Sequence, residues 1–202
     1  MFEKINIMGR KIREVILKPF LTVLVKAGIS ANLISTAKIV LMAPFFYLVD
    51  KNLFWAGAML IIALMLDGLD GPLARLAREQ SDRGKFFDLL SDHIIYSVEI
   101  LAVIYLGLVD GLTGAYQIFI IAVIYLLAII KKNEQLKSDW LISPSPRIIY
   151  YKVFFNVIFA LYLFWQINFL QPALFYLNII MTLAGVYYYF IIVLRKWKKS
   201  DR

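Results

Sequence analysis

Four aspartates at helical spacing lie at the margin of two apolar stretches: Asp67, Asp70, Asp88 and Asp92. The first two are three residues apart and the last two are four apart, so on helices each pair presents its carboxylates on a single face. Carboxylates that face one another repel unless they bind hard cations, and Mg²⁺, Mn²⁺ and Ca²⁺ all accept oxygen ligands. The spacing therefore predicts a divalent-cation site.

Two glycines and an arginine accompany these aspartates. Gly71 and Gly84 each lie four residues from an aspartate, and each removes a side chain where backbone or ligand must come close. Arg75, one turn beyond Asp70, supplies a cation for a phosphate. One divalent ion, or a pair about 3.5 to 4 Å apart, could clamp a pyrophosphate and stabilise charge during phosphoryl transfer.

A solvated surface, a structural role and ion transport each fit the aspartates less well. Pairs of carboxylates at helical spacing usually mark a solvated helix face. A structural membrane protein would have no use for aspartates, glycines and an arginine at these fixed distances. A divalent-cation transporter would place its carboxylates near the middle of the membrane, with a path to both sides. Here the aspartates lie at one edge of the apolar stretches.

The spacing of these residues from Asp67 to Asp92 resembles the signature of the CDP-alcohol phosphatidyltransferase family. Its fixed positions match at Asp67, Asp70, Gly71, Ala74, Arg75, Gly84, Asp88 and Asp92. Members displace CMP from a CDP-activated lipid, usually CDP-diacylglycerol, when an alcohol hydroxyl attacks phosphorus, and they commonly dimerise. The resemblance implies that the four aspartates hold two divalent ions, Mg²⁺ or Mn²⁺, and that Asp92 is also the catalytic base. It implies that Gly71, Ala74, Arg75 and Gly84 bind the CDP group and its phosphates.

The composition indicates a polytopic membrane protein. Of the 202 residues, 61% are hydrophobic and 15% aromatic, which is more apolar surface than a soluble domain can hide. A span needs about 20 apolar residues, and we count six stretches as spans, of which the second and fourth are short: 31–49, 53–66, 86–106, 116–130, 148–165 and 172–194. We expect an all-α fold in a single domain over 1–202, with a six-helix transmembrane bundle over 31–194. The second span should continue as helix through 67–75.

The basic residues predict the orientation. With six spans, nearly all of the 22 Lys and Arg residues share one face, and the opposite loops hold only Lys51. Positive residues stay on the cytoplasmic side, so both termini and the aspartates are expected there, most simply in a prokaryotic cell membrane. Topology and anionic lipids account for the net charge of +8, and we expect no nucleic-acid partner.

The first 21 residues have no small-residue cleavage site and no uninterrupted apolar core, so they are not expected to be a signal peptide. Their apolar residues suit one face of an amphipathic helix at the membrane interface. The chain has no cysteine, which excludes thiolate metal sites.

The acceptor alcohol is less sharply indicated. Lys131, Lys132 and Arg147 are similar to basic residues that family members place beside the metals for phosphorylated acceptors. Such members often carry Arg or Lys directly after the last aspartate, where this chain has His93, a further candidate for the acceptor site. An anionic acceptor such as glycerol 3-phosphate or an inositol phosphate is therefore favoured, although the same charges also suit a loop that only sets topology. A soluble CDP-alcohol of the choline or ethanolamine type, with diacylglycerol as acceptor, would use the same motif.

Two charged residues lie deeper in the apolar stretches. Lys38, in the first, is expected to extend its ammonium to the interface, or alternatively to reach an acceptor phosphate. Glu99 lies on the face of its helix that carries Asp92 and must be neutral or paired. Aromatic residues of the last span, Tyr187, Tyr188 and Tyr189, could form a dimer contact or a lipid-facing belt.

Overall fold

A computed structural model describes residues 16–79, 81–133 and 144–200. They form seven helices: α1 (16–26), α2 (Ala31–Leu48), α3 (Leu53–Leu76), α4 (Asp82–Tyr105), α5 (Gly111–Asn133), α6 (Pro144–Trp165) and α7 (Leu170–Ser200). These described ranges contain no strand, so the predicted all-α class is confirmed. The predicted interfacial helix over 1–26 lies largely outside them and stays a prediction.

Serine caps begin the helices that flank the aspartates. Ser30 accepts a hydrogen bond from the backbone N–H of Leu33 at 3.2 Å and starts α2. Ser81 accepts one from the N–H of Gly84 at 3.0 Å, next to the start of α4. Each hydroxyl satisfies a backbone donor that the first turn of a helix leaves open.

A left-handed residue ends α3. Arg78 has φ of 60°, and the N–H of Glu79 then donates to the carbonyl of Ala74 at 3.0 Å. This closing bond caps carbonyls of the last turn, although glycine is the usual residue at such a position. The chain turns sharply here, which allows α4 to begin at Asp82.

The chain divides after Val98 into two compact units. In the first unit, α2 packs along α3. Leu21 of α1, Ile34 of α2 and Leu73 of α3 are buried together in a small core, which fixes α1 against both helices. This packing supports the end of α3 that carries Asp67 and Asp70.

In the second unit, α7 packs against α5 and α6. Polar side chains join α5 to α7: Gln117 donates to the sulfur of Met181 at 3.3 Å, and Asn178 donates to the carbonyl of Thr113 at 3.0 Å. Such interhelical hydrogen bonds satisfy polar groups where water is scarce. This packing does not test the expectation of a single domain over 1–202, which stays a prediction.

Asp110 caps α5 and ties it to the start of α7. Its carboxylate accepts bonds from the N–H and the hydroxyl of Thr113, at 2.8 and 2.6 Å, and from the amide nitrogen of Gln171. These bonds, first those from Thr113, lower the pKa of Asp110 from its ordinary 3.8 to about 2. The N–H of Asp110 donates back to Gln171 at 2.8 Å.

Three of the described helices contain stretches long and apolar enough to cross a membrane: Ala31–Leu48, Leu53–Leu76 and Leu170–Phe190. Shorter apolar stretches are Gly111–Leu127 and Tyr151–Trp165. The predicted third span, 86–106, lies in α4 except for its last residue, which follows the end of the helix at Tyr105. The count of six membrane spans therefore stays a prediction.

The helix that contains the fifth predicted span, 148–165, begins four residues before that span, at Pro144. Prolines at 144 and 146 favour the end of a preceding helix, but α6 starts at Pro144 and includes both. The first turn of a helix tolerates proline because its N–H groups have no partner within the helix.

Candidate functional site

The four aspartates lie on two helices of the first unit. Asp67 and Asp70 are in the last turns of α3, which continues unbroken to Leu76 and so confirms the predicted extension of that helix. Asp88 and Asp92 are in the first turns of α4. As the spacing predicts, each helix directs its two carboxylates to a common point, which is marked by the side chain of Lys38.

Three of these carboxylates form a compact oxygen cluster. Asp67, Asp70 and Asp88 each offer one oxygen, and these oxygens all lie within 4.8 Å of one another. Asp70 is nearly buried, whereas 48% of the side chain of Asp88 is exposed. Hard oxygen donors in this arrangement fit Mg²⁺ or Mn²⁺ by their chemistry.

Lys38 lies at the centre of the aspartates. Its ammonium nitrogen is 2.8 Å from Asp67 Oδ1 and 2.6 Å from Asp70 Oδ2. It is 3.6 Å from Asp88 Oδ1 and 3.4 Å from Asp92 Oδ1. The side chain is fully buried, so the expectation that Lys38 extends to the interface is wrong. Its positive charge is neutralised locally by four carboxylates, which removes any need to reach water.

Asp70 is held from two further directions. Ser35, one turn before Lys38 on α2, donates to Asp70 Oδ2 at 3.2 Å. The backbone N–H of Gly71 donates to Asp70 Oδ1 at 2.6 Å. Both oxygens of the most buried aspartate therefore have fixed partners, and α2 supplies two of them.

A cavity of about 460 Å³ opens beside the aspartates. Its walls include all of the residues predicted to bind CDP and two of the predicted metal ligands: Gly71, Ala74, Arg75, Gly84, Asp70 and Asp88. The volume lies within the range of about 300–1,000 Å³ that is usual for small-molecule sites. Arg75 provides a guanidinium at this wall, opposite in sign to a phosphate.

The glycines of the cavity leave open space. A Cβ added at Gly71 would meet nothing nearer than Arg75 Nη1 at 3.6 Å, which is an ordinary contact. At Gly84 it would lie 3.2 Å from the Ser81 hydroxyl. The fold itself therefore does not require a glycine at 71, and the space in front of it remains available to a ligand.

Of the predicted acceptor residues, only His93 has a side chain that the structure describes. His93 is half-buried on α4, and its carbonyl accepts a hydrogen bond from Ser97 at 2.8 Å, but it is not among the residues that line the cavity. The backbones of Lys131 and Lys132 lie at the end of α5, and that of Arg147 in the first turn of α6. The side chains of these three residues lie outside the described part.

Several residues of the site were not assigned to it from the sequence. The cavity wall also includes Ser30, Asn32, Glu79 and Ser81, and the contact of Lys38 with the aspartates was not foreseen. A signal for Lys38 was present, because a lysine inside an apolar helix needs an anionic partner. The residues from turns carry no comparable signal, because their position depends on how α2 meets the α3–α4 connection.

The residues of this site lie in a range of the chain that matches a known protein family. A sequence model of the family described as CDP-alcohol phosphatidyltransferase matches residues 28–193. The matched range includes the four aspartates, Lys38 and all of the cavity wall. A search of curated proteins finds no match to the chain.

Proposed function

The chain belongs to the CDP-alcohol phosphatidyltransferase family, and from this premise we propose that it transfers a phosphatidyl group from CDP-diacylglycerol to a small polar alcohol, releasing CMP. As a member, it is a membrane transferase of phospholipid biosynthesis. The observation that carries the donor assignment is the cavity, where Gly71, Arg75 and Gly84 share a wall with Asp70 and Asp88. Open backbone, a guanidinium and carboxylates together suit a metal-bound pyrophosphate.

We assign Asp67, Asp70, Asp88 and Asp92 as the ligands of two divalent ions, Mg²⁺ or Mn²⁺. The support is the oxygen cluster of the first three and the contact of Asp92 Oδ1 with the same ammonium, at 3.4 Å. When bound, such ions stabilise the charge that develops on the phosphoryl oxygens and on the leaving CMP. Arg75 adds a cation that pairs with a phosphate by parallel hydrogen bonds.

Asp92 is the residue we assign as base. The acceptor oxygen forms a bond to the phosphorus that carries the diacylglycerol, the bond from that phosphorus to the CMP oxygen breaks, and the hydroxyl proton passes to the Asp92 carboxylate. A carboxylate has an ordinary pKa near 4, so it takes this proton only as the new bond forms. About a quarter of the Asp92 side chain is exposed (23%), which gives an alcohol access to it.

The acceptor is proposed to be anionic, either glycerol 3-phosphate or an inositol phosphate. The support is in the sequence: Lys131, Lys132, Arg147 and His93 would supply positive charge or hydrogen bonds to an acceptor phosphate. The distribution of Lys and Arg further supports six spans with both termini and the active site in the cytoplasm. The acyl chains of the donor would remain among the membrane lipids, and we expect a homodimer.

The reaction is tested by following CMP release from CDP-diacylglycerol, with Mg²⁺ or Mn²⁺, against a panel of alcohols that includes both anionic candidates. We expect release with one anionic acceptor, lost on chelation. Asp92→Asn should lower kcat by about a hundredfold or more, as expected for loss of a general base. Asp50→Asn, which changes an exposed aspartate outside the cluster, is the matched control.

The outcomes separate the possible reactions. Release without a divalent ion would contradict the metal assignment, and full activity of Asp92→Asn would contradict its role as base. Activity only with a CDP-alcohol and diacylglycerol would replace the proposed reaction by the reversed choice of substrates.

A further inference from the structure

Lys38 takes no part in the proposed transfer, yet it is fully buried and its ammonium lies within 3.6 Å of all four aspartates. The flexible four-carbon stem of lysine allows its ammonium to move while the backbone stays in place. Its charge holds Lys38 at the aspartates, while rotation about the bonds of its side chain would move the ammonium away from them.

The ammonium and a metal ion compete for the same oxygens. Lys38 contacts Asp67 Oδ1 at 2.8 Å and Asp70 Oδ2 at 2.6 Å, and carboxylates bind divalent ions through such oxygens at about 2.0–2.6 Å. Two positive centres cannot share these oxygens without strong repulsion at short range. Occupation by one therefore excludes the other.

We propose that Lys38 is a built-in counter-ion that holds the four aspartates together in the metal-free protein and leaves their oxygens when a divalent ion binds. The proposal rests on the proposed metal site. It makes Lys38 a positioning residue, because it acts through the aspartates. Without it, four carboxylates would repel one another at the boundary of α3 and α4, and the empty site would open.

Two properties follow from this exchange. The metal-free protein is stabilised by the ion pairs of Lys38, so its removal lowers the stability of that state. The metal ion must displace an ammonium, so removal of the ammonium strengthens metal binding. A lysine with a purely structural role would lower stability without tightening the binding of metal.

The test compares Lys38→Met with wild type, using the full chain in detergent micelles. Mn²⁺ binding is measured directly from the free-ion paramagnetic resonance signal, and the midpoint of thermal unfolding is measured in chelator. We expect Lys38→Met to bind Mn²⁺ at least about tenfold more tightly and to unfold at a lower temperature without metal. Lys51→Met is the matched control, since Lys51 is exposed and lies outside the aspartate cluster, and it should bind Mn²⁺ as wild type does.

Equal or weaker Mn²⁺ binding by Lys38→Met than by wild type would overturn the proposal while leaving the metal site intact. If neither protein binds Mn²⁺ in a manner lost in Asp70→Asn, the metal site itself fails and this proposal fails with it. Should Lys38→Met not fold, Lys38→Gln retains a hydrogen-bond donor without the charge, and the same tightening is required of it.

Discussion

The hydroxyl of Ser35 on α2 donates a hydrogen bond to Oδ2 of Asp70 on α3, at 3.2 Å, in the interior of the first unit. The same oxygen accepts from Lys38, one turn further along α2. Asp70 is the most buried of the four aspartates, so its orientation depends on these partners rather than on water. The packing of α2 against α3 is therefore also what orients a proposed metal ligand.

Ser35→Ala should weaken this arrangement. Loss of a hydrogen bond to a charged group costs about 1–3 kcal/mol, and we expect the metal-free unfolding midpoint to fall accordingly. Thr36→Ala is the matched control, because the Thr36 hydroxyl is exposed and donates only to the Asn32 carbonyl of its own helix, at 2.9 Å. Equal midpoints for the two variants would contradict a role of Ser35 in holding Asp70.

Gly71→Ala should separate activity from stability. An added Cβ meets no atom closer than 3.6 Å, and alanine favours a helix over glycine by about 0.5–1 kcal/mol, so stability should be kept or raised. The methyl group occupies the cavity, however, and we expect KM for the CDP-lipid to rise about tenfold. Gly68→Ala, on the same helix with open space around it and outside the cavity wall, should leave KM unchanged. A normal KM for Gly71→Ala would show that the donor does not use this wall.

Arg75→Lys should impair donor binding despite its retained charge. Arginine can pair with a phosphate through two parallel hydrogen bonds, which lysine does not reproduce. We expect kcat/KM for the CDP-lipid to fall by about tenfold, which corresponds to about 1.4 kcal/mol. Arg78→Lys changes the next arginine along, which the cavity wall does not include, and should have little effect on kcat/KM. Similar losses in both variants would indicate a general effect of charge geometry and contradict the specific role.

Asp110 should make the second unit sensitive to acid. Its folded-state pKa of about 2 lies below the ordinary 3.8, so its ionised carboxylate stabilises the fold above pH 4 and loses that contribution as the pH falls toward 2. Unfolding midpoints of wild type and Asp110→Asn, measured from pH 6 to pH 2.5, should converge as the pH falls. Curves that stay parallel over this range would rule out the contribution of Asp110.

The helices follow from the sequence more directly than the site does. The apolar stretches and the two aspartate pairs predict α3 through 67–75 and the direction of each carboxylate pair, because these are properties of a single helix. The location of Lys38 could not be obtained in this way. Its interface-seeking and buried conformations have the same helical position, and only the packing of α2 against α3 decides between them.

The cavity shows the same limit. Gly71, Ala74 and Arg75 lie on one stretch of α3, so their spacing already predicts that they share a surface. Ser30, Ser81 and Glu79 come from turns, and their presence at that surface depends on the left-handed end of α3 at Arg78 and on the start of α2. The residue periodicity of one helix does not predict its contacts with other helices or turns.

The ion pairs between α2 and α3 also bear on how the chain enters the bilayer. A lone lysine at the centre of an inserting helix costs about 2.5–3.5 kcal/mol on insertion scales, and Lys38 lies within the apolar helix α2, whereas Asp67 and Asp70 lie near the end of α3. Only the short turn around 49–52 separates the two helices, so both can leave the translocation machinery together as a hairpin with opposite charges already matched. We therefore expect α2 to insert less readily by itself than together with α3.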